Sequence, residues 1–437
     1  MSAGHNLSDS WTVSTGMKNP KYFILIFTML VFAPIQTIGQ ITVIKAGKLV
    51  DPENGTVSVN QTIVVEKGRI KSVGSDSSVP AGATVIDLSR STVLPGLFDC
   101  HSHLCQMTTP DNRDLYTTDI QQSTAYRAII GVKTAKEYLE SGFTTVRDVG
   151  NNGLYADTSL RNAVEQGLVP GPTIINAGRI IAPFGGQYFL RPERVDLGSP
   201  EYFFADTRDE MLKAIRENIH FGSLVIKIVV DDQRYIYSVD DIKFIVAEAG
   251  RAGLKVAAHC MTEQGARNAA EGGVASIEHG FRMSDEALEL AKRNNVVLVG
   301  TDFTLESAGY LGLDAATAKF FHDTFIDRLK RAYKIGVTMA YGTDTFFEAP
   351  KHTRGTLAVS YIDSFVEAGI PAKDTLKIMT TNAARLVGVD KQRGSIKTGM
   401  YADIIATPEN PLDNIQTLKK VSFVMKNGKV VKQQAAL

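Results

Sequence analysis

The hydrophobic and polar positions divide the chain into three kinds of segment. Residues 40–94 and 394–437 contain short runs rich in Ile and Val, which turn dipeptides such as Asn54-Gly55 separate. This pattern is typical of β-strands joined by tight turns. Residues 95–393 instead alternate apolar strands with amphipathic helical stretches. Residues 1–39 differ from both, since they carry one apolar run after two lysines.

Between residues 95 and 345, eight apolar strands alternate with helix-like stretches. The predicted strands are 97–103, 144–150, 173–181, 224–230, 255–260, 275–280, 296–301 and 338–344. Capping residues mark helix starts, as where Ser238 precedes Asp241 by three positions. Strict alternation implies a parallel sheet, and eight such units close into a (β/α)8 TIM barrel. We therefore predict an α/β fold, with a TIM barrel over 95–393 and a small β-sandwich domain built from both chain ends, 40–94 and 394–437.

The first 39 residues are expected to lie outside the folded domain. Lys18 and Lys21 precede an apolar run over 22–33, which is short for a membrane span of ~20 residues but suits a secretory signal peptide. Met17 could be the start, which would make 1–16 an upstream extension, and an uncleaved membrane anchor is the alternative. We predict an exported protein, periplasmic or secreted, with no stable membrane association after cleavage of the signal.

Composition narrows the class of partner. The 437 residues include 47 Lys+Arg and 47 Asp+Glu, and 44% are hydrophobic, so the chain as a whole is not of the disordered type. A net charge of zero gives no electrostatic reason to expect a nucleic acid partner. Three cysteines, Cys100, Cys105 and Cys260, cannot build a disulfide framework. We expect a small-molecule partner, and a homo-oligomer is possible.

Polar residues at the predicted strand ends suggest the chemistry. His101 and His103 are two apart on the first strand, so both imidazoles face one side. His259, His279 and Asp344 end the fifth, sixth and eighth strands. Two strand histidines alone can be ordinary hydrogen-bonded residues. In a parallel barrel, however, all strand carboxyl ends meet on one face, where active sites form. The set therefore predicts a metal site.

Lys227 stands out because every neighbour within three positions is apolar. An ammonium without a partner is costly to bury, so such a lysine tends to lose its proton. The simpler interpretation is that the stem is buried and the charge reaches the barrel rim. Beside a metal cluster, a neutral amine could instead capture carbon dioxide and become a carbamate that bridges two cations.

Several motifs together resemble a known family. They are PGLFDCHSH at 95–103, GFTTVRDVG at 142–150, SIEHG at 276–280, GTD at 342–344 and GSIKTGMYADI at 394–404. The chain resembles the amidohydrolase superfamily, specifically its imidazolonepropionase-like and Xaa-Pro dipeptidase (prolidase)-like branch. The resemblance covers essentially everything after Gly39 and rests on motifs from five separate parts of the chain.

The resemblance implies a binuclear metal centre. His101 and His103 would hold one divalent ion together with Asp344, while His259 and His279 would hold the other. An N6-carboxylated Lys227 would bridge the two ions, with a water or hydroxide. Zinc fits imidazole and oxygen ligands best, with manganese and cobalt left open.

In the activity that the resemblance implies, Asp344 acts as general base and then as acid in amide (C–N) hydrolysis. The predicted substrate is a dipeptide of the Xaa-Pro type or an N-acyl amino acid. A cyclic amidase, a lactonase or an esterase could use the same site. A metal-free binding or scaffold protein is the alternative from another class.

Departures from the family pattern concern the substrate. Where relatives often carry Gly-Gly-His-Gly, with a histidine that contacts substrate, this chain has Gln187 and Tyr188, and Asp231-Asp232-Gln233 replaces a frequent Ser-Gly-Gly stretch. Tyr237 matches a position that can touch the substrate, although an aromatic packed at the barrel rim is an equal alternative. The other candidate substrate contacts are His352, Arg191, Arg234 and Arg354. The arginines could bind a substrate carboxylate through paired hydrogen bonds, although most surface arginines have no such role.

Overall fold

A computed structural model describes residues 41–75 and 78–434 of the chain. The predicted extension and signal peptide, 1–39, lie outside the described residues. The described strands are β1 (Thr42–Asp51), β2 (Thr56–Glu66), β3 (Arg69–Gly74), β4 (Thr84–Pro95), β5 (Leu97–Ser102), β6 (Phe143–Asp148), β7 (Thr173–Asn176), β8 (Ile180–Ala182), β9 (Tyr202–Phe204), β10 (Val225–Val229), β11 (Lys255–Cys260), β12 (Ser276–His279), β13 (Val297–Val299), β14 (Ile404–Thr407), β15 (Phe423–Lys426) and β16 (Lys429–Gln433).

The helices of the same residues are α1 (Leu115–Gln121), α2 (Thr124–Glu140), α3 (Ala156–Glu165), α4 (Arg208–His220), α5 (Val239–Arg251), α6 (Glu263–Gly272), α7 (Asp285–Arg293), α8 (Leu305–Tyr310), α9 (Ala315–Ile335), α10 (Arg354–Ser360), α11 (Ile362–Glu367), α12 (Ala372–Met379) and α13 (Thr381–Leu386), with 3-10 helices at Pro192–Gly198 and Ile415–Lys420. Ser238 caps α5, and its hydroxyl accepts a hydrogen bond from the Asp241 amide, as the sequence predicts. The mixed α/β class is confirmed.

Strands from both chain ends form one seven-stranded sheet, in the order β16-β15-β14-β4-β1-β2-β3. β4 lies between β1, which is parallel to it, and β14, which is antiparallel to it. Alternate side chains such as Ile44, Ile86, Ile404 and Phe423 pack into one buried cluster, as expected when one face of a sheet is covered. Strands from the beginning and the end of the described residues are therefore interleaved in one sheet.

A parallel sheet of six strands, β13-β12-β11-β10-β8-β9, and one of three strands, β5-β6-β7, make up the central domain. All five residues of β10 are buried, which is expected when helices cover the outer face of a parallel sheet. Polar side chains on these strands are thus enclosed unless they point to a cavity at a strand end.

The predicted third strand, 173–181, is divided into β7 and β8. Gly178 lies between them with φ +71°, and a Cβ there would come within 2.5 Å of the Ser223 hydroxyl oxygen. Only glycine adopts this backbone without strain. The break lets β7 pair with β6 while β8 pairs with β10, so one chain segment connects the two parallel sheets.

The predicted eighth strand, 338–344, is not a regular strand. The β-pairing of this segment with β13 consists of one isolated bridge, between Met339 and Leu298. Further along, the Cys100 amide donates to the Tyr341 carbonyl (2.7 Å), and the Asp344 amide donates to the His101 carbonyl (2.7 Å). The segment therefore bonds to β13 on one side and to β5 on the other.

Within the described residues, no helix combines the length and apolar character needed to cross a bilayer.

Candidate active site

The six predicted metal ligands line one cavity of about 640 Å³. They come from the carboxyl ends of β5, β11 and β12, from the middle of β10, and from the segment that follows β13: His101, His103, Lys227, His259, His279 and Asp344. The ring centroids of His101 and His279 are 4.8 Å apart, and those of His259 and His279 are 4.5 Å apart. The structure thus brings together side chains that are up to 243 positions apart in the sequence.

The backbone around the cavity adopts uncommon conformations. His279, Thr301 and Asp344 have φ values of +65°, +52° and +54°. A non-glycine residue in such a conformation costs about 1–3 kcal/mol and persists only where the surrounding structure imposes it. Strain of this kind clusters at active sites and ligand clamps.

His101 is oriented by a buried charge network. Its Nδ1 lies 2.8 Å from the Glu278 Oε2 atom, and Glu278 Oε1 accepts a 2.7 Å hydrogen bond from Arg147. Burial would raise the pKa of Glu278, but Arg147 and the bond from His101 hold that pKa well below its usual range. Glu278 is therefore a carboxylate, and it fixes the His101 proton on Nδ1, which leaves Nε2 free.

Two further histidines have the same arrangement. His103 Nδ1 lies 2.8 Å from the Gly150 carbonyl oxygen, and His279 Nδ1 lies 2.8 Å from the Thr301 hydroxyl oxygen. Metal-binding histidines in proteins usually commit one ring nitrogen to such a partner and present the other to the ion.

The donor set fits divalent cations. Nε2 of His259 is fully enclosed and forms no hydrogen bond, and an unpaired buried polar atom of this kind requires an explanation. Burial and the nearby Lys227 charge lower the pKa of His101 to about 3, so its ring is neutral at pH 7. Burial alone would raise the pKa of Asp344. The neighbouring His101 and His103 lower it by a larger amount, so the pKa is below its usual value. A neutral imidazole, such as that of His101, and an ionised carboxylate are donors that a cation site needs.

Lys227 lies inside this set of donors. Its side chain is buried at 2% exposure in β10 and reaches the cavity wall. Burial lowers the pKa of its ammonium to about 8. Among the described residues, the Lys227 ammonium forms no hydrogen bond or ion pair with a neighbour, so its nitrogen is available for chemistry.

Aromatic side chains form much of the remaining wall. They are Tyr116, Tyr188, Phe189, Phe281, Phe303 and Phe346. Gln187 also lines the cavity, where its amide nitrogen donates to Asp232 Oδ2 (2.7 Å). The Tyr188 hydroxyl donates to Asp119. Two of the predicted substrate contacts, Gln187 and Tyr188, are thus at the cavity.

The other predicted substrate contacts do not line this cavity. Tyr237 is fully buried, and its hydroxyl donates to the Ala205 carbonyl (2.6 Å). Arg354 lies beneath the site, where its buried guanidinium donates to the backbone carbonyls of Gln106, His103 and Thr345. Both side chains hold backbone in place, so in this structure neither is available to a substrate.

Three more candidates are also elsewhere. His352 lies 3.6 Å from Glu306 and lines a separate cavity of about 310 Å³. Arg191 and Arg234 are exposed and outside the main cavity. The structure therefore does not support the prediction that arginines bind a substrate carboxylate, because the described lining residues include no arginine.

Tyr237→Phe is expected to lower the free energy of unfolding by about 1–3 kcal/mol, because the buried Ala205 carbonyl loses its hydrogen bond. KM and kcat should stay within about twofold of the wild type, since the hydroxyl is outside the cavity. Chemical denaturation and steady-state kinetics check both statements. A large rise in KM without loss of stability would restore Tyr237 as a substrate contact.

The sequence interpretation missed the residues that orient the histidines. Glu278 and Arg147 form an ion pair across 131 positions of sequence. A signal was present, because Glu278 occurs beside His279 in a predicted barrel strand, and a buried carboxylate needs a partner. Asp232, which departs from the family pattern in sequence, also lines the cavity.

Comparisons with known proteins identify the family to which the chain belongs. The family model described as "Amidohydrolase family" matches residues 92–431. The chain is 28% identical to ochratoxinase from Aspergillus niger, over 90% of this chain and 87% of that protein. It is 26% identical to imidazolonepropionase from Legionella pneumophila, over 79% and 87% of the two chains.

Solved structures give the same result. A Xaa-Pro dipeptidase with bound methionine in its active site has a TM-score of 0.80 and 30% identity, over 90% of this chain and all of the other. The A. niger ochratoxinase has a TM-score of 0.78 and 27% identity, over 90% and 96% of the chains. The resemblance predicted from the strand-end motifs is confirmed: this chain belongs to the amidohydrolase family and is a hydrolase.

Proposed function

We propose that this protein is a metal-dependent amidohydrolase that cleaves an amide C–N bond in a small molecule. One observation carries the proposal. Four histidines, Lys227 and Asp344 line one cavity, and three of the imidazoles have one ring nitrogen committed to a hydrogen-bond partner. Such orientation is the arrangement that metal-binding histidines need.

The position of this site is the one expected for an active site if the central strands form a closed TIM barrel. We propose that the parallel strands and segment 338–344 form one (β/α)8 barrel, because this segment bonds to both β13 and β5. The active sites of such barrels lie at the carboxyl ends of the strands. We also propose that the seven-stranded sheet curls into a small β-sandwich around its own core.

The ligands divide into two groups. His101, His103 and Asp344 would hold one divalent cation, and His259 and His279 would hold the other, with a carboxylated Lys227 between them. Two bound cations, for which zinc is our proposal, would polarise the amide carbonyl and lower the pKa of water. The nitrogen and oxygen donors present here suit zinc.

The protein side chains supply the remaining chemistry. Asp344 is ionised and partly exposed in the cavity, with 26% side-chain exposure. It would accept a proton from the attacking water and deliver it to the leaving nitrogen. Glu278 keeps His101 in one tautomer, and the aromatic wall would bind the apolar part of the substrate and exclude bulk water.

For the substrate we propose an Xaa-Pro dipeptide or an N-acyl amino acid with an apolar group. The aromatic lining favours apolar substituents, and the similar solved structures include a prolidase with bound N-methylphosphonate-L-proline. Cyclic amides, lactones and other esters are the alternatives at the same site. We also propose that the protein is exported, on the grounds of the apolar run at 22–33.

Metal analysis combined with a substrate panel tests the function. We expect roughly two equivalents of zinc per chain and chelator-sensitive hydrolysis of at least one Xaa-Pro dipeptide or N-acyl amino acid. His101→Asn should lose activity, whereas His322→Asn should keep it, because His322 pairs with Glu367 outside the cavity.

Two results would contradict the proposal. Less than about one equivalent of metal, with no chelator-sensitive turnover, would favour a scaffold protein. Activity confined to lactones or other esters in the same panel would transfer the assignment to an esterase.

A further inference from the structure

Asp232 is a carboxylate in the cavity to which the family resemblance gives no role. It lies five positions after Lys227, where relatives often have a Ser-Gly-Gly stretch, and it lines the cavity with His259. Its contacts show what this departure from the family pattern adds.

The contact between Asp232 and His259 is close but is not a hydrogen bond. Asp232 Oδ2 lies 2.8 Å from His259 Nε2. His259 is 6% exposed, and its Nε2 atom is enclosed without any hydrogen-bond partner. The two side chains are therefore in close contact, yet the nitrogen has no partner that meets the geometry of a hydrogen bond.

Two donors that share one cation would show this geometry. A zinc ion binds imidazole nitrogen and carboxylate oxygen at about 2.0–2.2 Å, so such donors end up about 3 Å apart, with the nitrogen lone pair aimed at the ion. The carboxylate then stands beside the ring nitrogen rather than in line with it.

The His103 and Asp344 pair provides an internal comparison. His103 Nε2 lies 3.0 Å from Asp344 Oδ1, a separation close to that of the Asp232 and His259 pair. These are the residues that the family resemblance makes ligands of one ion. Asp232 and His259 therefore repeat, on the other side of the cavity, the arrangement of an expected ligand pair.

The neighbouring Asp231 has a different role. Its carboxylate accepts bonds from the Met261 and Thr262 amides (2.8 and 2.7 Å) at the start of α6. Asp232 instead accepts one bond, from Gln187 Nε2 to Oδ2 (2.7 Å), and Gln187 is itself held by the Tyr202 hydroxyl (2.9 Å). Because a carboxylate has about four lone pairs, Asp232 keeps capacity for a cation.

We propose that Asp232 is a further ligand of the cation that His259 holds, with Gln187 as its positioning residue. The inference rests on the proposed metal centre and adds one protein ligand to it. A third anionic group beside Asp344 and a carboxylated Lys227 would tighten binding and favour harder cations such as Mn²⁺ over the softer metals.

Metal affinity is the first measurement. The chelator-treated full chain is titrated with Zn²⁺ by calorimetry, and Asp232→Asn is expected to weaken one of the two binding events by about 10–100-fold. Asp114→Asn is the matched control, because Asp114 lines the same cavity and caps α1 without touching a histidine. Its zinc affinities should stay within about twofold of the wild type.

A spectroscopic variant separates ligation from positioning. Asp232→Cys loaded with Co²⁺ is expected to gain a thiolate-to-cobalt charge-transfer band that neither Asp114→Cys nor the wild type shows. The wild type is needed because Cys260 is buried beside His259.

The outcomes are distinct. Unchanged zinc affinities in Asp232→Asn would overturn the proposal. A weakened affinity in Asp232→Asn without the charge-transfer band in Asp232→Cys would also overturn it, because Asp232 would then act only through His259. A wild type that binds no zinc would overturn the metal centre itself, which is a different failure.

Discussion

Asp344→Asn is expected to lower kcat by about 10²–10⁴-fold, the range for loss of a general acid–base group. Asparagine has nearly the same shape as aspartate but cannot accept a proton. It also tolerates positive φ better than most residues, so the backbone at φ +54° should be retained. The loss should therefore be chemical rather than structural.

The measurement is kcat at saturating metal and substrate, together with metal content and circular dichroism. Asp240→Asn is the control, because Asp240 is exposed in the first turn of α5 and far from the cavity lining. If folded, metal-loaded Asp344→Asn kept wild-type kcat, another residue would have to move the proton.

Lys227→Ala is expected to lose metal and turnover together, with activity at least about 10²-fold lower. The physical reason is that the buried amine, with its pKa lowered to about 8 by burial, can react with carbon dioxide. The ammonium first loses one proton. The nitrogen lone pair of the neutral amine then bonds to the carbon of carbon dioxide, a C=O π pair moves to oxygen, and a second proton leaves the nitrogen, which gives the carbamate anion. Alanine removes that anion and leaves a gap among the histidines.

Rescue makes this prediction specific. Added formate, acetate or propionate should fill the gap and restore part of both metal content and activity. Lys255→Ala is the matched control, because Lys255 is on the neighbouring strand, its pKa is also lowered by burial, and it donates to the Arg385 and Leu386 carbonyls instead. It should lose stability but keep its metal, and full metal content in Lys227→Ala would contradict the bridging role.

The grouping of the candidate ligands at one cavity could be predicted because it depends on local rules. His101 and His103 share a side by strand parity, and His259 and His279 lie at the ends of apolar runs. Parallel strands bring such ends together whatever their spacing in sequence. The alternating strand and helix pattern likewise indicated which segments would be buried.

Other features depend on tertiary contacts that no local pattern encodes. Tyr237 follows β10, where an aromatic residue could contact the substrate. Its hydroxyl instead donates a hydrogen bond to the Ala205 carbonyl. The guanidinium of Arg354 is a group that can bind a substrate carboxylate. In the structure, however, it donates hydrogen bonds to three backbone carbonyls. The break at Gly178 follows from the proximity of Ser223, which lies 45 positions further along.

The interleaving of the first and last strands has a consequence for biosynthesis. β4 requires both β1 and β14 as neighbours, and β14 is followed by β15 and β16, which end at Gln433. A nascent chain therefore cannot complete this sheet while β14, β15 and β16 are still inside the ribosome. Ribosome-stalled chains should therefore remain sensitive to protease in residues 41–95 until β14, β15 and β16 have emerged.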